Sequence, residues 1–447
     1  MARPTVAGGL ARFLAGFAAD ALPDPARAAA RRCLFDLVAA AAAGAGGAAA
    51  RSVRGLALAR GGPGGVWFAA GGGPPELAAM ANATAASALD IDDGHRAAAG
   101  HPGAAVIPAA LAAAEREGSS AGQLLTAVVL GYEVAVRIAA ARDFGRLYAL
   151  SSGRWSGYGV VAAAGWLRGT PAPALAQALA MAGELSPWLV GSGYGGDMGN
   201  QVKEGIPWTV QGGLVALELA ERGFTGPLDL LDHPEHYDGA AILRGLGESF
   251  AIEGTYFKPY ACCRWIHSAL DGLLAILAEE AVEPGRIEAI RVRCVRRAAT
   301  LTNSADPDCV ENAQYSFPYC LALAALGGAR ALLPLREESL HRPEVVALAR
   351  RVELEVDPEL DAAFPARCPA EVELLAGGRR LTRRVDLALG DPGNPLGERA
   401  HLRKFLALTV PALGAAPAKR LARAVLGLGR GGEPAELLAA LRAPLAG

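Results

Sequence analysis

Near residue 285 the apolar residues of this chain change their spacing, and that change restricts the fold more than any other feature. Up to about residue 260 the pattern is helical nearly throughout. "AGQLLTAVVLGYEVAVRIAAARDF" (121–144) repeats at the helical period. It follows Ser119 and Ser120 as capping residues and sets Glu133 one turn before Arg137. Nearer the N-terminus Leu10, Phe13, Leu14 and Phe17 share one face, and Pro23 and Pro25 part a first helix from a second. Stretches 172–190 and 209–222 read the same way, with Gly-rich breaks at 62–73 and 191–200. Beyond 285, "IRVRCV" (290–295) and "RVELEVD" (351–357) alternate apolar and charged residues. "AEVELLAGGRRLTRRVDLAL" (370–389) reads as strand, Gly377-Gly378 turn and strand. Strands with one wet face predict a small antiparallel sheet carrying a helix or two. After "GDPGNPLG" (390–397) the helical pattern returns. The expected layout is mainly α with an α+β insertion. A large helical domain over 1–265 is completed by a C-terminal return over 396–447, and a smaller α+β domain over 266–395 sits between them.

A chain of 447 residues suits two domains or one with an insertion. With 52% hydrophobic and 20% charged residues it can fill a sizeable core. Lys plus Arg number 43 and Asp plus Glu 45, so no basic field recommends nucleic acid as a partner. No run reaches the roughly 18 uninterrupted apolar residues of a membrane span. "ARFLAGFAADALPDPARAAARR" carries charges where a signal peptide is apolar. The expectation is a cytoplasmic protein without a membrane partner. Seven cysteines lack framework spacing and read as reduced thiols.

Polar residues are spent sparingly, so their clusters stand out. "DIDDGHRAAAGHPG" (90–103) puts Asp90, Asp92, Asp93, His95, Arg96 and His101 before a helix. A carboxylate buried beside a histidine shifts both pKa values, which suits proton transfer. Metal ligation fits the residue types, but the spacing matches no metal signature, and no metal is expected. In "GNQVKEGIPW" (199–208) Lys203 precedes an apolar helix, where a cation and a helix N-terminus together would hold a carboxylate. "TYFKPYACCRWIHSALDG" (255–272) gathers Lys258, Tyr260, Cys262, Cys263, Arg264 and His267 at the junction between body and insertion, a favoured ligand position. Tyr315 and Tyr319 lie four apart and read equally well as packing aromatics. No G-x-S-x-G elbow, Walker loop or G-x-G-x-x-G after a strand is present; "GSGYGG" (191–196) sits among helices, and nothing requires a cofactor.

Taken in order, "LARFLAGFAADALP", "LDIDDGHRAAAGHPGAAVIPAALAAAE", "LLTAVVLGYEVAVRI", "GLVALELAERGFTGP", "FKPYACCRWIHSALD" and "GDPGNPLG…KF" resemble the MmgE/PrpD family. The resemblance implies a helical domain with an α+β lid, usually in a homodimer. It also implies cofactor-free chemistry on a small carboxylate between the two. Carried over by motif, the implied active-site positions are Asp90, His101, Lys203, Lys258, His267 and Tyr319. His101 is expected to be the acid or the base with Asp90 orienting it, Tyr319 or His267 to supply the opposite proton, and Lys203 and Lys258 to bind the carboxylate. Arg154 and Arg264 are added as helper cations. The chain departs from the family where a histidine is usual near Leu150, where Ile206 replaces another, and where Gly94 replaces a threonine. The expected reaction is that of a dehydratase; an epimerase, a decarboxylase or a non-catalytic acid-binding protein are the alternatives.

Overall fold

The computed structural model describes residues 4–147, 149–187 and 198–446. The Gly-rich segment 191–196 lies outside them.

The body is built on helix Ala121–Ala140, which Ser120 and Gln123 start with a reciprocal capping box. It packs on helices Gly103–Glu117 and Ser156–Leu167. The approach is close because glycines face one another: a Cβ on Gly159 would fall 2.5 Å from the Gly131 carbonyl oxygen. Ala121–Ala140 is long and apolar enough to cross a membrane, but 83% of its most apolar window is buried inside the body. Glu133 and Arg137 pair along it, as expected from their spacing. They also reach outward, Glu133 accepting from the Ala251 amide and Arg137 donating to the carbonyls of Ile242 and Arg244. The pair therefore clamps a later segment instead of decorating a wet face.

Thr5 caps the first helix, Val6–Gly16, which buries Leu10 and Leu14. Pro23 caps the second, Asp24–Gly44. The chain returns to this second helix near its end, where helix Glu398–Leu413 packs against it. At the contact Asp36 is buried and takes hydrogen bonds from His401 at 2.7 Å and Lys404 at 2.6 Å. Lys404 also donates to the Ile91 carbonyl at 2.9 Å, so the C-terminal helix grips the polar loop directly.

The insertion carries a four-stranded sheet in the order Val352–Val356, Ile287–Cys294, Ala370–Ala376, Arg379–Val385. Helix His267–Glu279 packs on the last two strands. The hairpin turns at Gly377 and Gly378, both at positive φ (57° and 72°), as its sequence predicts. Arg291 pairs with Glu373 and Arg293 with Glu371 across the wet face. The expected all-antiparallel arrangement is corrected at one edge, where Val352–Val356 runs parallel to Ile287–Cys294. Between those strands lie helical segments, long enough for the crossover that parallel pairing needs. A second pairing leaves no periodic trace in sequence: Gly94–His95 lies antiparallel to Thr255–Tyr256. It brings the Asp90–Gly103 loop against the segment bearing Lys258.

Candidate functional site

Asp90 is the hub. Its backbone is left-handed (φ 50°) and its side chain is fully buried. Lys203 donates to its Oδ1 at 2.8 Å, and the Lys258 ammonium lies 2.9 Å from its Oδ2. Lys258 also donates to the Asp90 carbonyl at 2.8 Å. Burial alone would raise the Asp90 pKa, but the two ammonium groups outweigh it and hold the carboxyl below its ordinary range. Lys203 reaches inward because Lys203, Glu204 and Gly205 are successive left-handed residues (φ 48°, 57° and 72°) just before helix Ile206–Glu221. Two non-glycine residues there are strained, which the surrounding contacts must offset. Burial opposes the Lys203 charge, yet Asp90 raises its pKa well above the ordinary lysine value.

His101 stands on the other side of Asp90. Its Nδ1 is 2.9 Å from the Asp93 carbonyl oxygen, which only accepts, so Nδ1 carries a proton. Nε2 is 3.6 Å from Asp90 Oδ1. Burial disfavours the imidazolium, but Asp92, 3.2 Å from Nδ1, overcomes it and the pKa is raised. The backbone amide of His101 donates to Ser152 Oγ at 2.9 Å, and Ser152 donates from both N and Oγ to Glu204 Oε2 (2.9 and 2.7 Å). Asp90, Asp92 and His101 point ligand-type atoms within 4.8 Å of one another. The two ammonium groups already stand where a metal would bind Asp90.

Asp93 holds the loop to the next helix, accepting from the Gly103 amide at 3.2 Å and from the Tyr132 hydroxyl. Burial pushes its pKa up to about 7. The raised value means that Asp93 stabilises the fold fully below its unfolded pKa of about 3.9, and that this contribution is lost as pH rises through about 7. Urea unfolding of the native chain should therefore show stability falling between about pH 4 and 7. In Asp93→Asn that part of the slope should flatten; an unchanged slope would remove Asp93 as its source.

Above this hub lies a cleft of about 60 Å³ between the body and the insertion. His101, Glu204 and Leu150 line it from the body, and Leu301 and Phe364 from the insertion. Arg96 and Arg264 also line it. Arg96 binds Asp391 through Nε and Nη2 at 3.1 and 3.0 Å, and Arg264 Nη2 donates to the same carboxylate at 2.6 Å. Two guanidiniums thus share one carboxylate, and both lie over the Tyr256 ring (5.4 and 4.7 Å). Arg264 Nε is buried without a hydrogen-bond partner among the described residues. A Cβ on Gly94 would fall 2.3 Å from the Tyr256 hydroxyl oxygen, so the absence of a threonine there makes room for this ring.

The expected residues do not all meet. Asp90, His101, Lys203 and Lys258 converge, and Arg264 lines the cleft. His267 sits behind Arg264: its Nδ1 accepts from Arg264 Nη1 at 3.1 Å and its Nε2 donates to the Cys262 carbonyl at 3.1 Å. Burial first, then Arg264, drives its pKa well below the ordinary value, so it is neutral and both nitrogens are engaged. Its place is corrected from proton transfer to holding Arg264. Tyr319 is placed elsewhere, its hydroxyl donating to the Ser339 carbonyl at 2.5 Å. Its neighbour Tyr315 takes the position at the cleft and accepts from Lys203 Nζ at 2.8 Å. The physical reason is local: Ser316 caps the helix Phe317–Gly327, so Tyr315 precedes the helix while Tyr319 is locked inside it. Arg154 is not among the described residues lining the cleft; burial lowers its pKa, and Tyr237 opposes that shift. Tyr315→Phe is expected to lower turnover about 10- to 100-fold, the worth of a hydrogen bond to a charged group. Tyr319→Phe should change turnover less than about twofold while costing about 1 kcal/mol in urea unfolding. The reverse ranking would return the role to Tyr319.

Sequence reasoning missed Ser152, Glu204, Asp391 and the Arg96 contact. Asp391 lay inside the "GDPGNPLG" block, Glu204 inside "GNQVKEGIPW" and Arg96 inside the polar loop, but their contacts left no local pattern.

Compared with known proteins, residues 8–242 match the MmgE/PrpD N-terminal domain and residues 260–429 the MmgE/PrpD C-terminal domain. The chain is similar to cis-aconitate decarboxylase of Aspergillus terreus, 26% identical over 405 residues that cover 83% of this chain and 82% of that protein. It is also similar to cis-aconitate decarboxylase of Mus musculus, 26% identical over 362 residues, covering 75% and 72%.

Proposed function

This chain belongs to the MmgE/PrpD family, and on that premise we propose that it is a lyase of a small carboxylic acid, working by proton transfer beside a carboxylate without a cofactor. The observation that carries the reading is the meeting of Lys203, Lys258 and His101 around Asp90, directly under a cleft lined by Arg96 and Arg264.

A C–H next to a carboxylate is a very weak acid. Removing its proton builds charge on the carboxylate oxygens, and fixed cations stabilise that charge more in the transition state than in the ground state. On this reading the work is divided among the residues. Arg96 and Arg264 line the cleft and share the one carboxylate of Asp391, which leaves one positive charge over for a substrate carboxylate. Lys203 and Lys258 are committed to Asp90; they fix its charge, and Lys203 polarises the Tyr315 hydroxyl. His101, with Nδ1 tied to a carbonyl, offers Nε2 for the proton. Dehydration is the first form of this reading; decarboxylation is the second, and the similarity to cis-aconitate decarboxylases supports it.

The test is proton NMR in D₂O with succinate, malate, citrate and cis-aconitate. Deuterium entering beside a carboxylate, with loss of water or CO₂ from one acid, supports the lyase. Inversion without loss would make it an epimerase. Binding without exchange or reaction would make it an acid-binding protein and overturn the reading.

A further inference from the structure

A dehydratase, the first form of the reading above, needs two proton-transfer groups, one for the C–H and one for the leaving group. His101 supplies one. Among the described residues lining the cleft, the other titratable side chains are committed. His95 donates from Nε2 to the Ala251 carbonyl at 2.9 Å; its Nδ1 has no hydrogen-bond partner among the described residues, but burial lowers the His95 pKa to about 4 and makes it a weak base. Burial raises the Cys263 thiol well above its ordinary pKa. Tyr315 is bound to Lys203, and burial raises its pKa well above the ordinary tyrosine value. Arg96 and Arg264 hold Asp391, and Tyr256 lies under both guanidiniums with its pKa raised by burial well above the ordinary tyrosine value.

Glu204 remains. It lines the cleft, and Ser152 engages only its Oε2. Its backbone is held in a left-handed conformation by close packing: a Cβ on Gly153 would fall 2.5 Å from the Glu204 carbonyl oxygen. Ser152 links Glu204 to the His101 amide, so the two groups are set relative to each other by one hydroxyl. The negative charge of Glu204 is also felt at His101, where it helps raise the pKa.

We infer that Glu204 is the base that removes the proton beside the carboxylate, with His101 as the acid that serves the leaving group. The inference rests on the lyase reading above. In the dehydration form the C–H bond breaks, its proton passes to Glu204 Oε1, and the electron pair moves onto the carboxylate. That pair then forms the C=C bond as the C–O bond breaks, and the His101 imidazolium gives its proton to the departing hydroxyl as water. Glu204 ends protonated and His101 neutral; proton exchange with solvent resets both.

The test uses the full chain and the same acids in D₂O. The native enzyme should take deuterium into the carbon beside the carboxylate. Glu204→Gln keeps an oxygen for Ser152 but cannot take a proton, and should lose at least about 100-fold in both exchange and turnover. His101→Asn should keep exchange while losing turnover. If Glu204 were only a brace, Ser152→Ala would match Glu204→Gln; the expected loss in Ser152→Ala is instead under about tenfold. Thermal melting of each variant separates a lost base from a lost fold. Exchange in Glu204→Gln within about threefold of native would overturn the inference while leaving the lyase reading intact. A native chain inert toward every acid would overturn that reading, and this inference with it.

Discussion

Lys258→Ala should destabilise the chain by about 3–5 kcal/mol and abolish turnover. Lys258 is fully buried and neutralises Asp90 from the side opposite Lys203. Its removal leaves a buried carboxylate with one ammonium partner, frees the Asp90 carbonyl, and opens a void where the alkyl stem packed. Lys203 still compensates part of the charge, which places the effect toward the lower end. Lys258→Met refills much of the volume without the charge and should recover only the packing share. Urea unfolding of the three proteins measures both parts. A loss under about 1 kcal/mol in Lys258→Ala would mean that Asp90 is not sustained by this contact.

His101→Asn should lower kcat by about 10²–10⁴-fold with little loss of stability. The asparagine amide can donate to the Asp93 carbonyl as Nδ1 does, so the loop keeps its anchor. What disappears is the ring nitrogen that exchanges a proton. In the native chain Asp92 raises the His101 pKa against burial, so the imidazolium persists to higher pH than in a free histidine. If His101 is the acid, kcat should fall as pH rises through that raised value, and the fall should be absent from the residual activity of His101→Asn. Full activity in the variant would remove His101 from the chemistry.

Much of this arrangement is legible in the chain itself. The switch of apolar spacing near 285 marks the insertion, and the return of helical spacing marks the helix that packs back on Asp24–Gly44. The polar loop, Lys203 and Lys258 stand out because the surrounding sequence is so apolar. What is not legible is direction. Nothing in "GNQVKEGIPW" reveals that three left-handed residues turn Lys203 toward Asp90, because non-glycine residues rarely adopt that conformation. Tyr315 and Tyr319 differ only in which side of a cap they fall. Glu204 and Ser152 meet across 52 positions by tertiary contact alone, which no local pattern encodes.

The grip of Lys404 on Ile91 and Asp36 has a consequence for synthesis. A growing chain leaving the ribosome would already have released the aspartate–histidine loop and both lysines below the cleft. The side chain that pins that loop from behind would still be untranslated. Activity would therefore arrive late, with helix Glu398–Leu413, however early the preceding part of the body had collapsed.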